Sequence, residues 1–282
     1  MIYKRSFVKF KSILFSRKES SQRSALFDHD FLWGAASAAQ HVEHQQESDW
    51  TIFERQVIND GKTSTDARPG YALPGHINSL DKFSQTVRLK KTNFDYVFDK
   101  DFALASELGH NSHRFSICWA RLFPTRDLST PVPEAIRFYH KILDSLEKYN
   151  IKPFVTLFHF STPNWFWDEI DGKRGWERKD AIRHFERFIH SVLDAFGDRI
   201  SLWTTLNEPM TYVYNGYMQG IFPPLEKRDI NGVVTVIEQL LKAHAAAYKL
   251  IHDHAIRKNL SVKVGIAKHT RAFHALRNWA PF

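Results

Sequence analysis

The feature that most constrains the fold is a regular alternation of short apolar stretches with amphipathic helical ones. Strand candidates occupy residues 31–39, 114–119, 152–160, 202–206 and 262–267. Helical patterns occupy residues 99–108, 133–146, 185–196 and 233–254. Short apolar strands that alternate with helices imply parallel pairing through right-handed crossovers. The sequence therefore predicts an α/β fold in which strand 31–39 is buried on both faces.

Local signals support these boundaries. Pro133 suits the first turn of a helix, and Gly109 and Gly197 are typical of helix ends. The clearest helix carries apolar residues at the spacing of a single buried face. These are Phe185, Phe188, Ile189, Val192, Leu193 and Phe196. Residues 45–80 are polar and rich in Gly, Pro, Asp and Asn, which predicts a long loop.

Two architectures are compatible with the alternation, a doubly wound open sheet and a (β/α)8 barrel. An open nucleotide-binding sheet often shows a Gly-rich phosphate turn after its first strand, and this sequence has none. Its absence also disfavours a nicotinamide-binding Rossmann domain. Polar loops at the strand ends favour the barrel, but five strands are too few to close one. We therefore predict an incomplete TIM barrel of about five β/α units.

The net charge of +8 is concentrated at the N-terminus. Residues 1–27 hold seven lysines and arginines against Glu19, which leaves only +2 for residues 28–282. We predict a disordered basic extension over 1–27 and the barrel part over 28–282. The folded part then lacks the basic face typical of nucleic-acid-binding proteins. A basic amphipathic segment touching a membrane surface is a less favoured alternative for the extension.

Cysteine and histidine usage narrows the function further. Cys118 is the single cysteine, which excludes an internal disulfide and fits a reducing, cytoplasmic compartment. No stretch approaches the roughly 20 apolar residues of a membrane-spanning helix. The 15 histidines are scattered and form no H-E-x-x-H frame, so we predict neither a metal nor a cofactor.

Polar side chains stand at several predicted strand ends. His159 and Phe160 end one strand, Asn207 and Glu208 end the next, and Pro209 forces the chain out of the sheet. In a parallel barrel these ends share one face, so the side chains converge on one pocket. A lone histidine or glutamate in such a position is usually structural, and the convergence is what favours a site. An imidazole, an amide and a carboxyl suit a hydroxyl-rich ligand, and Glu208 is our candidate general acid/base.

Five stretches in this order resemble family 1 of the glycoside hydrolases, the β-glucosidase and β-galactosidase enzymes. They are residues 31–36 with Glu43, residues 113–121, residues 156–160, residues 205–209 and residues 216–224. The resemblance runs from about residue 31 to 282 and implies a barrel that acts on a β-glycoside or oligosaccharide.

The resemblance also implies roles for particular residues. Glu208 would protonate the leaving oxygen and later deprotonate water, and Asn207 would bind the sugar 2-hydroxyl. His159 would bind another hydroxyl beside Phe160, and Arg114 would orient the nucleophilic carboxylate.

His41 stands where the family has a sugar-binding glutamine, and Gln40 comes one residue earlier. A one-residue shift at a strand end would point Gln40 the other way, so we expect His41 to line the pocket.

One departure from the family concerns the second carboxyl. The nucleophile of family 1 lies in a Thr-Glu-Asn-Gly motif, which is absent from these 282 residues. A retaining glycosidase needs two carboxyls about 5–5.5 Å apart. We therefore expect a fragment that carries the acid/base and is inactive alone. The alternative is a non-catalytic sugar-binding or interaction module, which shares His159 and Asn207 but does not require Glu208.

Overall fold

The computed structural model describes residues 27–28, 30–44, 46–59, 92–127 and 129–270. The chain divides into two compact units, Met1–Trp33 and Gly34–Phe282. Residues 1–26 of the predicted extension lie outside the described residues. In the first unit, the exposed rings of Phe27, Phe31 and Trp33 pack against one another with centroids 4.5–5.0 Å apart.

The second unit is built on a five-stranded parallel sheet whose strands pair in chain order. Its strands are β1 Gly34–Ala36, β2 Ser112–Ser116, β3 Lys152–Phe158, β4 Leu202–Asn207 and β5 Lys263–Ala267. A doubly wound sheet reverses its strand order at a switch point, and this order never reverses. The structure therefore confirms the partial barrel and excludes the open doubly wound sheet.

Helices separate the strands, as the alternation predicts. They are α1 Ala39–Val42, α2 Asp49–Asn59, α3 Phe94–Glu107, α4 Trp119–Leu122, α5 Pro133–Lys148, α6 Ala181–Phe196, α7 Pro209–Val213 and α8 Ile230–Lys258. Pro133 occupies the first turn of α5 and Gly109 has a φ of +87° just after α3, as predicted. Even α8, with 29 residues, lacks the apolar length to cross a membrane, as do the other helices in the described part of the chain.

Part of the predicted loop over residues 45–80 is wrong, because residues 49–59 form α2. The side chain of Ser48 accepts the backbone N–H of Thr51 at 3.1 Å, which satisfies a free donor in the first helical turn. Asp49 also lies in that turn, and its Oδ1 accepts the backbone N–H of Thr162 at 2.8 Å. Residues 45 and 60–80 of the predicted loop lie outside the described residues.

The predicted burial of the first strand is also wrong. β1 covers only Gly34–Ala36, and all three residues are exposed. Within the described residues β1 pairs on one side only, with β2, so it is an edge of the sheet rather than an interior strand. The helix predicted over 99–108 begins five residues earlier, at Phe94, because Phe94 is buried like Phe102 and extends the same face by about one and a half turns.

An aromatic core lies between the sheet and α6. Trp119 packs against Trp165, Phe166, Trp176, Phe185 and Phe188 with ring centroids 4.9–6.3 Å apart. The predicted apolar face of α6 is buried throughout. Trp165, Phe166 and Trp176 are at most 7% exposed, so these rings fill the core.

Close packing of β1 against β2 requires glycine at position 34. A Cβ at Gly34 would lie 2.0 Å from the carbonyl oxygen of Ser112, whereas a Cβ at Gly265 on β5 would meet nothing within 4 Å. We expect Gly34→Ala to lower the free energy of unfolding by about 1–3 kcal/mol, because the backbones of β1 and β2 must move apart. Gly265→Ala is the matched control and should change it by less than about 0.5 kcal/mol. Urea unfolding curves measure both, and equal effects would contradict this account.

Candidate active site

Glu208 lies immediately after β4 in a strained backbone conformation. Its φ of 42° and ψ of 56° fall in the left-handed region, which is uncommon for a residue other than glycine. Its N–H donates to the carbonyl of Ala267 at 2.7 Å, and its own carbonyl accepts the N–H of Thr211 at 2.9 Å in α7. Hydrogen bonds to β5 and to α7 thus stabilise this strained backbone conformation. Such residues cluster at active sites, and the Glu208 side chain is 35% exposed.

Asn207 is held by a side chain from β2. The Nη2 of Arg114 donates to the Oδ1 of Asn207 at 2.7 Å, and its Nε donates to the Oγ1 of Thr156 at 2.8 Å. These two bonds connect β2, β3 and β4. Burial lowers the pKa of Arg114, whereas the negative charge of Glu208 raises it. The predicted residues Arg114, Asn207 and Glu208 are therefore brought together.

His159 and Phe160 follow β3 and line a small pocket of about 20 Å³ with Ala38, Gln40, His41 and Trp50. Phe160 also has a positive φ, 73°. Burial, together with the nearby charges of Arg114 and His41, lowers the pKa of His159 to about 3. The His159 imidazole is therefore neutral at pH 7, and its Nδ1 is buried with no hydrogen-bond partner in the described part of the chain. Arg114, which binds Asn207, is therefore close enough to His159 to affect its pKa.

Gln40 and His41 both line this pocket, contrary to the expectation that Gln40 would point away. They lie in the short helix α1 rather than at a strand end, so consecutive side chains do not alternate between opposite faces. Gln40 is 5% exposed, and its amide is engaged by the hydroxyls of Ser48 at 2.7 Å and Thr51 at 3.3 Å. His41 is exposed.

Two residues of the site were not among the predicted ones, and both had a sequence signal. His269 follows β5 by two residues, and its Nδ1 lies 3.6 Å from the Oε2 of Glu208. The rule that polar residues at strand ends converge applies to it as it does to Glu208. Trp50 was assigned to a loop, and only the recognition of Ser48 as a helix cap would have placed it on α2.

A buried ionic network involves Glu43, the residue that follows α1. Arg121 donates to the Oε2 of Glu43 at 2.8 Å and to the Oδ2 of Asp95 at 2.8 Å. The hydroxyl of Tyr139 donates to Glu43 at 3.0 Å. Burial raises the pKa of Glu43 to about 7, and Arg121 opposes that rise. The network fixes the chain immediately after Gln40 and His41.

Metal binding has no support in the described residues, which contain no group of three or more His, Cys, Asp or Glu side chains suited to hold an ion. The arrangement offers instead hydrogen-bonding groups and one partly exposed carboxyl. An amide donor, a neutral imidazole and a carboxyl can bind hydroxyl groups and transfer a proton to or from an oxygen atom.

The neutrality of His159 predicts a pH dependence. Because its pKa falls from 6.5 when unfolded to about 3 when folded, the unfolded chain binds the extra proton first. Its contribution to stability is complete above pH 6.5 and is lost as the pH falls towards 3. Imidazole NMR shifts of His159 should titrate with a midpoint near 3. Free histidine in the same buffer is the control, and a midpoint near that of free histidine would contradict the burial argument.

Comparison with known proteins shows one family over most of the chain. The sequence matches the profile of "Glycosyl hydrolase family 1" over residues 23–275. It is 31% identical to lactase/phlorizin hydrolase of Rattus norvegicus over 83% of this chain and 11% of that protein. It is 31% identical to phospho-cellobiase of Klebsiella oxytoca over 80% of this chain and 46% of that protein.

Solved structures agree with the sequence matches. A β-glycosidase from Pyrococcus horikoshii is similar with a TM-score of 0.66 and 32% identity, over 86% of this chain and 48% of that one. The chain thus spans about half the length of that structure and less than half of either relative.

Proposed function

We propose that this chain, which belongs to glycosyl hydrolase family 1, carries the acid/base part of a retaining β-glycosidase site. The observation that supports the proposal best is the placement of Glu208. It stands at the end of β4, partly exposed and conformationally strained, beside an asparagine whose amide is oriented by Arg114.

The hydrogen bonds determine what each side chain offers a sugar. Because the Oδ1 of Asn207 already accepts from Arg114, the Nδ2 group remains as a donor to a sugar hydroxyl. Neutral His159 has one N–H donor and one acceptor nitrogen, so it can pair with a hydroxyl in either direction. The exposed face of Phe160 and the ring of Trp50 supply apolar surface in the same pocket.

In the proposed reaction Glu208 acts twice. As an acid it gives its proton to the oxygen of the departing group while the glycosidic bond breaks. As a carboxylate it then takes a proton from the water that releases the sugar. His269, 3.6 Å from Glu208, stands beside the carboxyl at which both transfers occur.

The first step also requires a second carboxylate as nucleophile. Among the two residues that follow each of the five strands, Glu208 is the one carboxylate. We therefore propose that these 282 residues by themselves form no glycosyl-enzyme intermediate. We propose a β-glycoside as the substrate class. No particular sugar is proposed, because the relatives' names range from lactase to phospho-cellobiase.

Incubation of the chain with an aryl β-glucoside should release no more phenol than buffer does. Without the partner carboxylate, protonation by Glu208 alone cannot divide the reaction into two steps. Phenol release is followed spectrophotometrically for the wild type and for Glu208→Gln. Turnover by the wild type that disappears in Glu208→Gln would contradict the proposed lack of activity.

Calorimetric titration tests the site independently of turnover. We expect cellobiose to bind the wild type and to bind Asn207→Ala about tenfold more weakly, because a buried hydrogen-bond donor is lost. Glu238→Gln, which changes an exposed residue paired with Lys242 on α8, is the matched control and should bind as the wild type does. Unchanged affinity in Asn207→Ala would overturn the proposed sugar site.

A further inference from the structure

A second, larger cavity opens on the other side of α2. This acidic cleft has a volume of about 470 Å³ and lies between the first turns of α2, the segment 164–177 and the segment 223–226. It shares no lining residue with the pocket that contains His159. Trp50 faces that pocket, whereas the adjacent Asp49 lines the acidic cleft. The proposed glycosidase chemistry uses none of its residues.

The lining of the acidic cleft is predominantly negative. Four carboxyl side chains contribute to it against one arginine, and they are Asp49, Glu169, Glu177 and Glu226. Arg174 is paired with Glu169 at 2.7 Å, and Glu177 is paired with Lys173 at 2.9 Å. Asp49 and Glu226 are the lining carboxyls for which the described residues show no such cationic partner. A concave surface with one sign of charge concentrates field lines and attracts ions of the opposite sign.

Asp49 gives the acidic cleft an acceptor that lacks a donor. The residue is 7% exposed, and its Oδ1 accepts the N–H of Thr162 at 2.8 Å. Its Oδ2 is buried and has no hydrogen-bond partner among the described residues, and the same holds for the Oδ1 of Asn164. Burial raises the pKa of Asp49 to about 7, although the backbone N–H groups of Thr162 and Trp50 oppose that rise, so the carboxyl is about half ionised at pH 7. Buried polar atoms in native proteins are nearly always paired, and a cation near Oδ2 would favour the ionised form. The terminal torsion of a carboxyl group is soft, which lets Oδ2 turn towards a donor in the cleft.

An aromatic wall stands beside these acceptors. The ring of Trp167 lies against Gly175, where a Cβ would come within 2.7 Å of it, and Gly175 has a φ of +52°. The indole N–H of Trp167 donates to the Oγ1 of Thr162 at 2.8 Å, so both the position and the tilt of the ring are fixed. Phe53 and Pro224 complete the apolar lining.

We propose that the acidic cleft binds a small organic cation, an ammonium group carried on an apolar or aromatic body. An ammonium has three donors and no acceptor, which matches the unpaired oxygens of Asp49 and Asn164. Trp167 adds apolar contact and attraction between the cation and its ring. A neutral sugar gains nothing from the net negative charge and needs donors as well as acceptors, so the lining suits it less well.

The test compares two probes of nearly the same shape on the full chain. 2-Phenylethylamine carries the ammonium, and 2-phenylethanol carries a hydroxyl in its place. Calorimetry should show the amine binding at least about fivefold more tightly at low salt, and the advantage should shrink as salt screens the carboxylates.

Two variants test whether the amine binds in the acidic cleft. Asp49→Asn keeps the volume and the Oδ1 acceptor and should weaken amine binding at least about threefold, without changing binding of the alcohol. Glu134→Gln, which removes an exposed carboxylate on α5 outside the acidic cleft, should bind the amine as the wild type does.

Circular dichroism checks that Asp49→Asn is folded. If it is not, Glu226→Gln decides, because Glu226 is exposed on the rim of the acidic cleft and its change should weaken amine binding about twofold. Equal affinity for the two probes, or binding of neither at roughly 10 mM, would overturn the proposal. So would a loss in Glu134→Gln as large as the loss in the cleft variant.

Discussion

The bonds from Arg114 to Thr156 and Asn207 are the interaction on which the candidate site depends. They join side chains of β2, β3 and β4, at 2.8 and 2.7 Å, and so fix three neighbouring strands at one end of the sheet. A guanidinium presents its donors in a rigid fork, so it sets direction as well as distance. Because Asn207 immediately precedes Glu208, the same bonds determine where the candidate acid/base emerges.

The fold brings the strand ends together without strain, but it strains the backbone at particular residues. Parallel strands in chain order bring their ends to one face without further devices. The cost appears as left-handed backbone at Phe160 and Glu208 and as an unpaired buried nitrogen on His159. All three residues belong to the predicted site. Left-handed residues other than glycine and unpaired buried polar atoms also occur elsewhere in the described residues, so such strain accompanies the predicted site without being confined to it.

The sequence was most informative where the period of the apolar residues was long and regular. The apolar faces of α5 and α6 and the positions of β3, β4 and β5 followed from that period and from Pro133 and Gly197. The prediction that His159, Asn207 and Glu208 converge rests on a single rule about parallel strand ends. The same rule applied to β5 identifies His269, which shows that the signal was present.

Other features depended on information that the local pattern does not carry. α2 is polar enough to resemble a loop, and its start rests on one bond from the Ser48 side chain. The exposure of β1 depends on which elements pack beside it, which apolar content alone does not reveal. The acidic cleft combines residues from three separate segments, none of which has a recognisable motif. Tertiary placement, rather than local preference, decides such features.

The central claim is that the ends of β3 and β4 form one sugar-binding site. The most direct test follows the NMR signals of the His159 imidazole and the Asn207 side-chain amide while cellobiose is added. If one site binds the sugar, both signals shift and both titrations give the same dissociation constant. Shifts with different constants, or a shift of one signal without the other, would contradict a single site.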